Sequence, residues 1–304
     1  MITVFTPTYQ RRSTLTRVYN SLLNQTMSRS EFEWIIVDDG STDGTGDLVS
    51  QFVGESDLNI RYFRQPNGGK HRAWNKGVSE ARGELFVFID SDDECTPDAL
   101  ATIGDAWSAL GEQERGGLAG LLARCQYPDG REVGRSVAES GTAVNFAEVV
   151  LCGGASWEMW HIARVDVLRR HPFPDGPKGQ YVPESTIWFG IDEDWVVLDE
   201  AIRIYHTGLD GRSDQISRNS SIKSAAPGQL IGCISMLSNT YNLFWCSPMG
   251  FVKSAAQVSR FSVLSRKRVR GSINEVSAPA MRALCYAMVP VGYVVAILDS
   301  FRKR

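Results

Sequence analysis

The N-terminal third of the chain alternates between short apolar runs and amphipathic stretches. Each run is rich in β-branched and aromatic residues and stops at polar or turn-forming residues, as buried strands do. The stretches between the runs space their apolar residues as helices do. We predict strands over Ile2–Thr6, Trp34–Val37, Ile60–Phe63 and Leu85–Ile89. Strands that alternate with helices through short loops predict an α/β fold with a mostly parallel sheet covered on both faces.

The same analysis predicts further elements after residue 95. These are helices over Pro97–Leu110 and Val165–Arg170, and strands over Leu118–Tyr127, Trp157–Ile162 and Ile202–Tyr205. The segment Val144–Leu151 fits a helix or a strand. From Gly228 onward the spacing is helical, with one helix reaching Trp245 and another over Val252–Leu264.

Three of the N-terminal strands end in residues suited to ligand binding. They end at Thr6-Pro7, at Asp38-Asp39 and at Asp90-Ser91-Asp92-Asp93. Open α/β sheets bind their ligands outside the carboxyl ends of the strands, so these residues are expected to converge on one crevice.

The acids of Asp90–Asp93 repel one another unless a cation lies between them. The chain turns after the strand, so Asp90 and Asp92 can face one ion. Hard oxygen ligands suit Mg²⁺ or Mn²⁺ that carries a phosphate-bearing substrate. The alternative is a solvated acidic loop or an acid-rich helix start.

The composition of the chain bears on which partners it binds and in which cellular compartment it is expected. The net charge of −3 gives no electrostatic support for a nucleic-acid partner. The six cysteines are scattered without a C-x-x-C pair, which argues against a zinc site or a disulfide framework and fits a reducing compartment. The N-terminus goes directly into a strand and lacks the regions of a signal peptide, so we expect a cytoplasmic protein.

Four motifs in this order and spacing resemble the family 2 glycosyltransferases of the GT-A fold. The motifs are Thr6-Pro7-Thr8-Tyr9, Val37–Thr45, Asn67-Gly68-Gly69 with Asn75-Lys76-Gly77, and Asp90–Asp93. The resemblance covers about the first 100 residues closely and extends loosely to about residue 215. It implies a glycosyltransferase domain over 1–215, with a nucleotide-sugar half (1–100) and an acceptor half (101–215), followed by a helical extension over 216–304.

The resemblance also implies the chemistry. A metal-dependent, inverting enzyme would move a sugar from a nucleotide-sugar, with UDP as the default nucleotide, to a glycan or lipid-linked acceptor in polysaccharide biosynthesis. Mn²⁺ or Mg²⁺ would bridge the two phosphates and stabilise the leaving nucleoside diphosphate.

Individual roles follow from the same resemblance. The residues implied to bind the donor are Thr6, Pro7 and Tyr9 at the base, Asp39 at the base or ribose, Asp90 at the ribose, and Ser91. Asp92, with Asp90, would bind the metal, and His206 would be an extra ligand. Lys70 would reach the phosphates or hold the glycine-rich loop.

Several of these residues have simpler alternatives. Tyr9 can pack at the strand end, and Asp38 is expected to cap the loop that it opens rather than touch a ligand. Asp93 can cap the helix near Pro97, support the metal site from behind or ligate the metal. A lone histidine such as His206 is often structural.

An inverting transferase needs a base that deprotonates the acceptor hydroxyl. We favour Glu184, which follows a proline at a predicted helix start, over Asp192-Glu193-Asp194, whose alternative is an exposed acidic helix face. Glu158 is a candidate for acceptor contact. Asp210–Ser213 resembles a loop that closes over the donor, where Arg212 or Arg218 would meet the diphosphate.

Two other functions compete with this interpretation. A nucleotidyltransferase also pairs a nucleotide fold with carboxylates and a metal, but its first strand would lead into a glycine-rich basic loop, where this chain has Pro7-Thr8-Tyr9. A catalytically idle glycan-binding or scaffold subunit would keep the fold, and the intact Asp90-Ser91-Asp92 argues against it.

The run Ala283–Leu298 is almost wholly apolar. It is shorter than the roughly 20 residues of a spanning helix, and Pro290 and Gly292 interrupt it. It is either a helix packed on the core or a peripheral contact on the inner face of the cell membrane. In the second case Arg266–Arg270 and Arg302–Arg304 would meet anionic headgroups.

Overall fold

The apolar runs of the N-terminal third are neighbouring strands of one sheet. The computed structural model describes residues 1–153, 159–176, 178–206 and 221–301, and within these ranges the sheet has ten strands. In chain order they are β1 (Ile2–Thr8), β2 (Phe32–Asp38), β3 (Ile60–Arg64), β4 (Leu85–Phe88), β5 (Glu94–Cys95), β6 (Leu118–Gln126), β7 (Glu132–Val133), β8 (Ala143–Val144), β9 (Met159–Arg164) and β10 (Asp194–Ile204). Across the sheet their order is β3-β2-β1-β4-β9-β6-β10-β5, with β7 beside β6 and β8 beside β10.

The direction of the strands fixes which of their ends share an edge. β1 pairs in parallel with both β2 and β4, and β2 pairs in parallel with β3. β9 is antiparallel to both β4 and β6, so β6 regains the direction of β4, and β10 is parallel to β6. The carboxyl ends of β1, β2, β4 and β10 therefore lie at the same edge. The prediction of a mostly parallel sheet in an α/β fold is confirmed.

Helices follow the strands through most of the chain. They are α1 (Leu15–Leu23), α2 (Thr45–Glu55), α3 (Lys70–Glu80), α4 (Ala99–Ala109), α5 (Glu112–Gly116), α6 (Phe146–Cys152), α7 (Val165–Arg170), α8 (Ser185–Trp188), α9 (Ile222–Asn239), α10 (Pro248–Leu264), α11 (Val269–Asn274), α12 (Pro279–Ala287) and α13 (Val289–Phe301), with a 3₁₀ helix over Tyr241–Cys246. The undecided segment Val144–Leu151 is thus mainly helical.

The chain divides into two compact units. The first comprises Met1–Asn145, Ser156–Pro172 and Asp192–Arg212, and the second comprises Phe146–Ala155, Phe173–Ile191 and Ser213–Arg304. The first unit contains the sheet, and the second is helical in its described residues. The functional division into residues 1–215 and 216–304 stays a prediction.

Apolar layers cover both faces of the sheet in the first unit, because successive residues of a strand point to opposite faces. On one face the rings of Tyr19 and Phe52 stack with 4.0 Å between their centroids, beside Trp34. On the other face Phe5 stacks on Phe86 at 5.0 Å. Burial on both sides explains why these strands are continuous apolar runs rather than alternating ones.

One predicted element was wrong in type. Asp192-Glu193-Asp194 was expected on a helix, but Asp194 is the first residue of β10, and this strand runs from there to Ile204. The sequence analysis found only the last part of this strand, Ile202–Tyr205. The early part, Trp195–Leu198, is buried within the sheet.

The second unit has its own apolar core and a disulfide. The buried members of the core include Leu230, Leu237, Phe251, Phe261 and Met281. Cys152, at the end of α6, is bonded to Cys246, at the end of the 3₁₀ helix. The expectation that the cysteines form no disulfide is therefore wrong for this pair.

The C-terminal apolar run is two helices rather than one. α12 and α13 meet at a bend of 56° near Met288, next to Pro290. In the described part of the chain, no single helix is long and apolar enough to cross a bilayer, although this bent pair meets the criterion of length and composition when taken together.

Gly120 tests how closely β6 and β9 must approach. Its φ is +151°, and a Cβ at this position would overlap the carbonyl oxygen of Ile162. We expect Gly120→Ala to lower the free energy of unfolding by about 2–4 kcal/mol, because backbone on both sides must move. Denaturant titration measures this value.

Gly116→Ala is the matched control, because its Cβ would meet no atom within 4 Å at the end of α5. We expect no loss of stability there. Equal stability of the two variants would contradict the close packing of β6 against β9.

Candidate active site

The three predicted strand ends do share one edge of the sheet. Thr8 at the end of β1 is in register with Asp38 at the end of β2, and Phe5 of β1 is in register with Phe88 at the end of β4. Asp90–Asp93 follow β4 directly. The residues that the sequence singled out are therefore neighbours across the carboxyl edge.

A buried arginine at the same edge holds two of the three acids. Arg203, near the end of β10, donates from Nη2 to Asp90 Oδ2 at 2.9 Å and from Nε to Asp93 Oδ2 at 2.9 Å. Its side chain is only 5% exposed, and that of Asp93 is 2% exposed. We call these three residues the Arg203 cluster. Asp93 also accepts a hydrogen bond on Oδ1 from the backbone N–H of His206 at 3.0 Å.

Lys70 completes the neutralisation of Asp90. Its Nζ lies 2.8 Å from Asp90 Oδ1 and 4.4 Å from the centroid of the Phe88 ring. Burial alone would raise the pKa of Asp90, but the charges of Lys70 and Arg203 outweigh it and hold this pKa below its usual value. Asp90 is therefore an anion with a cation on each of its oxygens.

Asp92 differs from its two neighbours. Among the described residues its carboxylate has no hydrogen bond or ion pair, and only its backbone carbonyl is engaged, accepting from Arg17 Nη1. Burial, followed by the charges of Asp90 and Asp93, raises the pKa of Asp92 to about 6. Asp92 is thus the acid of this loop whose carboxylate has no salt bridge among the described residues, although the charge of Arg11 offsets part of the rise in its pKa.

His206 follows β10 and faces an acid next to this loop. Its Nε2 lies 2.7 Å from Glu94 Oε1, and Glu94 lies 3.7 Å from Arg17 Nε. Histidines that bind metals usually have a carboxylate or carbonyl at the second ring nitrogen. The Glu94 contact is compatible with a metal at Nδ1 and equally with a structural histidine.

The residues fit a metal that takes its other ligands from a substrate. In the ranges that the structure describes, no group of three or more His, Cys, Asp or Glu side chains forms a complete metal site. Mg²⁺ is commonly held by one or two carboxylates together with substrate phosphates and water. One carboxylate without a salt bridge, together with a histidine whose backbone N–H bonds the adjacent Asp93, matches that mode.

Asp39 shapes the glycine-rich loop. Its Oδ1 accepts from the backbone N–H of Gly68 at 2.8 Å, and its Oδ2 accepts from that of Gly69 at 2.7 Å. Gly69 has φ +97°, which a side chain would disfavour. The Asp39 carboxylate therefore holds the backbone of the glycine-rich loop in place.

Asp38 has the capping role that its position predicted. Its Oδ1 accepts from the backbone N–H of Ser41 at 2.8 Å, which closes the turn that Asp38 opens. Its Oδ2 accepts from the hydroxyl of Tyr62 at 2.6 Å. This interpretation of Asp38 is confirmed.

The predicted base-pocket residues differ in what they offer a ligand. Thr6 is fully buried, and its hydroxyl accepts from Trp34 Nε1 at 3.0 Å, so its side chain belongs to the core. Pro7 is buried within β1 and Ser91 is buried in the acidic loop. Tyr9 lies beyond the strand end with 45% of its surface exposed. Of these four, Tyr9 is the one with a side chain open to a base.

The two clusters that compete for the role of base lie on different elements. Asp194 begins β10 and Arg203 lies nine residues later, so the acids of 192–194 are about 30 Å from the carboxyl edge at the strand's rise per residue. Glu193 pairs there with Arg170. Glu184 belongs to the second unit, is half-buried and immediately precedes α8. The course of β10 thus places the competing acids at the opposite edge of the sheet from the Arg203 cluster.

Some site residues fall outside this picture or were missed. Glu158, Asp210–Ser213, Arg212 and Arg218 lie outside the described residues. Arg203 was not predicted. The available signal was a charged residue inside the apolar run Ile202–Tyr205, where a buried arginine needs an acid as a partner.

Comparison with known proteins finds a family match over the N-terminal part of the chain. Residues 3–113 match the family described as Glycosyl transferase family 2, which includes β1–β4 and the acidic loop. Poly(ribitol-phosphate) beta-N-acetylglucosaminyltransferase TarS of Staphylococcus aureus is 32% identical over 138 residues, which cover 44% of this chain and 22% of TarS. The GalNAc(5)-diNAcBac-PP-undecaprenol beta-1,3-glucosyltransferase of Campylobacter jejuni is 27% identical over 214 residues, which cover 67% of this chain and 64% of that protein.

Solved structures show the same fold. Residues 1–349 of S. aureus TarS in complex with UDP-GlcNAc align over 98% of this chain and 91% of that one, with a TM-score of 0.66 and 19% identity. A mannosyltransferase from Pyrobaculum calidifontis, in complex with GDP-Man and Mn²⁺, aligns over 98% of this chain and 84% of that one, with a TM-score of 0.52 and 14% identity.

The two sequence relatives are longer than the part that matches. The chain covers less than two thirds of either relative's length. The match of residues 3–113 includes the strand ends and the acidic loop, and the fold agrees over nearly the whole chain. Residues 3–113 therefore match the model of glycosyl transferase family 2, and nearly the whole chain shares the GT-A fold.

Proposed function

We propose that the protein is an inverting, metal-dependent glycosyltransferase that uses a nucleotide-sugar, with UDP as its nucleotide. The observation that carries this proposal is Asp92, a partly buried carboxylate with no salt bridge among the described residues, at the edge where two neighbouring acids already have one. A donor diphosphate with a divalent cation supplies the missing positive charge and the remaining ligands. The TarS complex with UDP-GlcNAc is the basis for preferring UDP.

The proposed metal ligands are Asp92 and, through its second ring nitrogen, His206. Mn²⁺ or Mg²⁺ bound there would neutralise the charge that develops on the leaving diphosphate. Asp90, although its motif position suggested ligation, already has Lys70 and Arg203 on its two oxygens. We therefore assign Asp90 to the ribose and to orientation of the loop rather than to the ion itself.

The nucleotide half of the site would act through three groups. Tyr9 offers an exposed ring at the end of β1 for the base. Asp39 holds the glycine-rich loop that precedes α3, and Lys70 begins that helix. Lys70 can exchange part of its bond to Asp90 for a phosphate oxygen, because both acceptors are anionic.

Arg203 is proposed as a positioning residue. By holding Asp90 and Asp93 on both sides of Asp92, it fixes the turn that presents the Asp92 carboxylate. Its guanidinium can bond two carboxylates at fixed angles, which an ammonium group cannot.

Glu184 is proposed as the base that accepts the proton of the acceptor hydroxyl. It precedes α8, and the competing acids of 192–194 lie at the opposite end of β10 from the Arg203 cluster. A lipid-linked saccharide is the acceptor class we favour, because the printed name of the Campylobacter relative includes a PP-undecaprenol acceptor.

The direct test is release of nucleoside diphosphate from a panel of nucleotide-sugars, with Mn²⁺, with Mg²⁺ and with chelator. A transferase releases the diphosphate from one donor, faster with acceptor and only with a metal. Release of pyrophosphate would indicate a nucleotidyltransferase instead. Binding of glycan without any release would indicate an idle subunit and overturn the proposal.

Asp92→Asn tests the metal assignment. We expect metal-dependent donor binding to be lost with the fold intact, because the amide is a much weaker ligand for a hard cation. The metal-free variant should melt at a higher temperature than the wild type at neutral pH, since a repelled charge is gone. Calorimetric titration of donor and a thermal melt measure the two effects.

Asp105→Asn is the control for Asp92→Asn, because Asp105 is an exposed acid on α4. It should change neither donor binding nor melting temperature. Full metal-dependent activity in Asp92→Asn would show that Asp92 is not the ligand.

The raised pKa of Asp92 also predicts two dependences on pH. A carboxyl whose pKa is higher in the folded state binds more protons folded than unfolded, so the metal-free protein should lose stability as pH rises from about 4 to about 6, by at most about 3 kcal/mol. Metal affinity should fall about tenfold per pH unit below 6 as Asp92 is protonated. Denaturant titrations and metal titrations across pH, compared with Asp92→Asn, test both. A slope unchanged in that variant would assign it to another group.

Arg203→Gln should leave Asp90 and Asp93 without their shared cation. We expect a loss of about 3–5 kcal/mol in the free energy of unfolding, as for removal of one partner of a buried ion pair. Arg203→Lys keeps the charge but not the two-sided geometry, so it should remain folded and lose turnover with little change in donor KM. Denaturant titration and steady-state kinetics measure these effects.

The control is Arg131→Gln, which removes an exposed ion pair with Asp129. Surface pairs of this kind contribute little, so no change in stability or activity is expected. Unchanged stability in Arg203→Gln would contradict the role given to the Arg203 cluster.

Glu184→Gln removes basicity while keeping shape. We expect turnover to fall by about 10²–10⁴, the usual effect of losing a general base, with donor affinity nearly unchanged. Asp194→Asn is the matched comparison and should keep its activity. Loss of activity in Asp194→Asn, with Glu184→Gln active, would reverse the assignment.

A further inference from the structure

The last helix described in the second unit has its polarity reversed relative to an ordinary surface helix. Along α13 the buried positions are Gly292, Ala296 and Asp299, which recur at helical spacing on one side. The opposite side is exposed and almost wholly apolar. Its large side chains are Val291, Tyr293, Val294, Ile297, Leu298 and Phe301. A surface helix in water normally places its apolar residues inward and its polar ones outward.

The inward side of α13 is fixed by α10, so the helix cannot simply rotate. Asp299 Oδ2 accepts from Arg260 Nε at 2.6 Å, and the Asp299 side chain is only 4% exposed. Gly292 packs so closely that a Cβ there would lie 2.5 Å from the carbonyl oxygen of Ala256. Rotation of the helix that turned its apolar side inward would break the ion pair between Asp299 and Arg260. It would also separate Gly292 from the carbonyl oxygen of Ala256.

The outward side of α13 presents a contiguous row of exposed apolar side chains. The exposed fractions of Val294, Ile297 and Leu298 are 56%, 53% and 58%, and they share a face at i, i+3 and i+4. Contiguous exposed apolar surfaces of this kind mark contacts with proteins or membranes. The thirteen residues of α13 span about 20 Å, less than the roughly 30 Å of a bilayer's hydrocarbon core. The helix can therefore lie in an interface but cannot cross it alone.

Charge indicates which partner fits. In the sequence, residues 248–304 contain ten Lys or Arg residues and two acids, a net charge of +8, whereas the whole chain carries −3. Four of the basic residues, Arg266, Lys267, Arg268 and Arg270, are exposed around the start of α11. The face of α13 is therefore apolar within a strongly basic part of the chain, and apolar helices accompanied by basic residues bind anionic lipid surfaces.

We propose that the outward face of α13 lies in the interface of an anionic membrane, with the basic residues of 266–270 at the headgroups. A second copy of the chain is the weaker occupant, because residues 248–304 of each copy carry a net charge of +8 and two such segments repel each other. The proposal does not depend on the transferase activity, and its test leaves that activity measurable.

Flotation of the full chain with vesicles tests the proposal. Vesicles of phosphatidylcholine with phosphatidylglycerol should retain the protein at low salt, and phosphatidylcholine alone should retain much less. The triple variant Val294→Ser, Ile297→Ser, Leu298→Ser should lose partitioning by about tenfold or more. Its melting temperature should not fall, because these side chains are already exposed.

The control is Val53→Ser with Ile222→Ser, two apolar residues with 52% and 44% exposure on other helices. It should bind vesicles like the wild type. Arg266→Gln with Lys267→Gln and Arg268→Gln should reduce both the binding and its dependence on salt.

Three results would overturn the proposal. The first is failure to recover the wild type with anionic vesicles at low salt, and the second is binding of the triple serine variant as strong as that of the wild type. The third is a dimer in sedimentation, without vesicle binding, that the triple variant abolishes, which would assign the face to a second copy. Diphosphate release from donor without vesicles should be the same in all variants, so none of these results bears on the transferase proposal.

Discussion

The buried pairing of Arg203 with Asp90 and Asp93 is the interaction on which the carboxyl edge of the sheet depends. Three acids within four residues would repel one another strongly in a partly dry site. Taking charges out of water costs several kcal/mol each unless they are paired with good geometry. Arg203 meets that requirement with two bonds of 2.9 Å to two different carboxylates, and Lys70 occupies the other oxygen of Asp90. The acidic loop is therefore ordered by cations of the chain itself.

These cations form salt bridges with Asp90 and Asp93 but not with Asp92. Asp92 is left with a raised pKa between two acids that already have partners. The neighbouring strand end is also built from within, since Asp38 closes its own turn and Asp39 holds the glycine-rich loop. Most polar groups at this edge thus serve to fix the backbone, and few side chains remain for a ligand. Tyr9 and Asp92 are the side chains at this edge that have no such structural role among the described residues.

The second unit follows a different constraint. Its buried ion pair, Arg260 with Asp299, lies inside a helix packing where an apolar contact would be the ordinary choice. The apolar side chains of the same helix face outward. The disulfide between Cys152 and Cys246 joins two segments that are 94 residues apart in the sequence. Neither feature belongs to the carboxyl edge of the sheet, which is formed by the first unit.

Local pattern was sufficient where an interaction lies within one strand or at its end. Continuous β-rich runs predicted β1–β4, because strands buried on both faces need apolar residues throughout. Turn-forming acids after those runs predicted the edge where the site lies, and they carried the family resemblance. The same reasoning misassigned Asp192–Asp194, because an acidic stretch before an apolar run fits a helix start as well as the start of a strand.

Only the tertiary structure decided which residues meet across long separations. Arg203 lies 113 residues after Asp90, and nothing in the spacing of either motif brings them together. The order β4-β9-β6-β10 does so, because two antiparallel steps return β10 to the direction of β4. The same strand order places Asp194, the first residue of β10, at the edge of the sheet opposite the carboxyl edge. The sequence by itself determined which residues are suited to the site, since that depends on local chemistry. The structure decided which of them are neutralised and which is left open, since that depends on the pairing of strands.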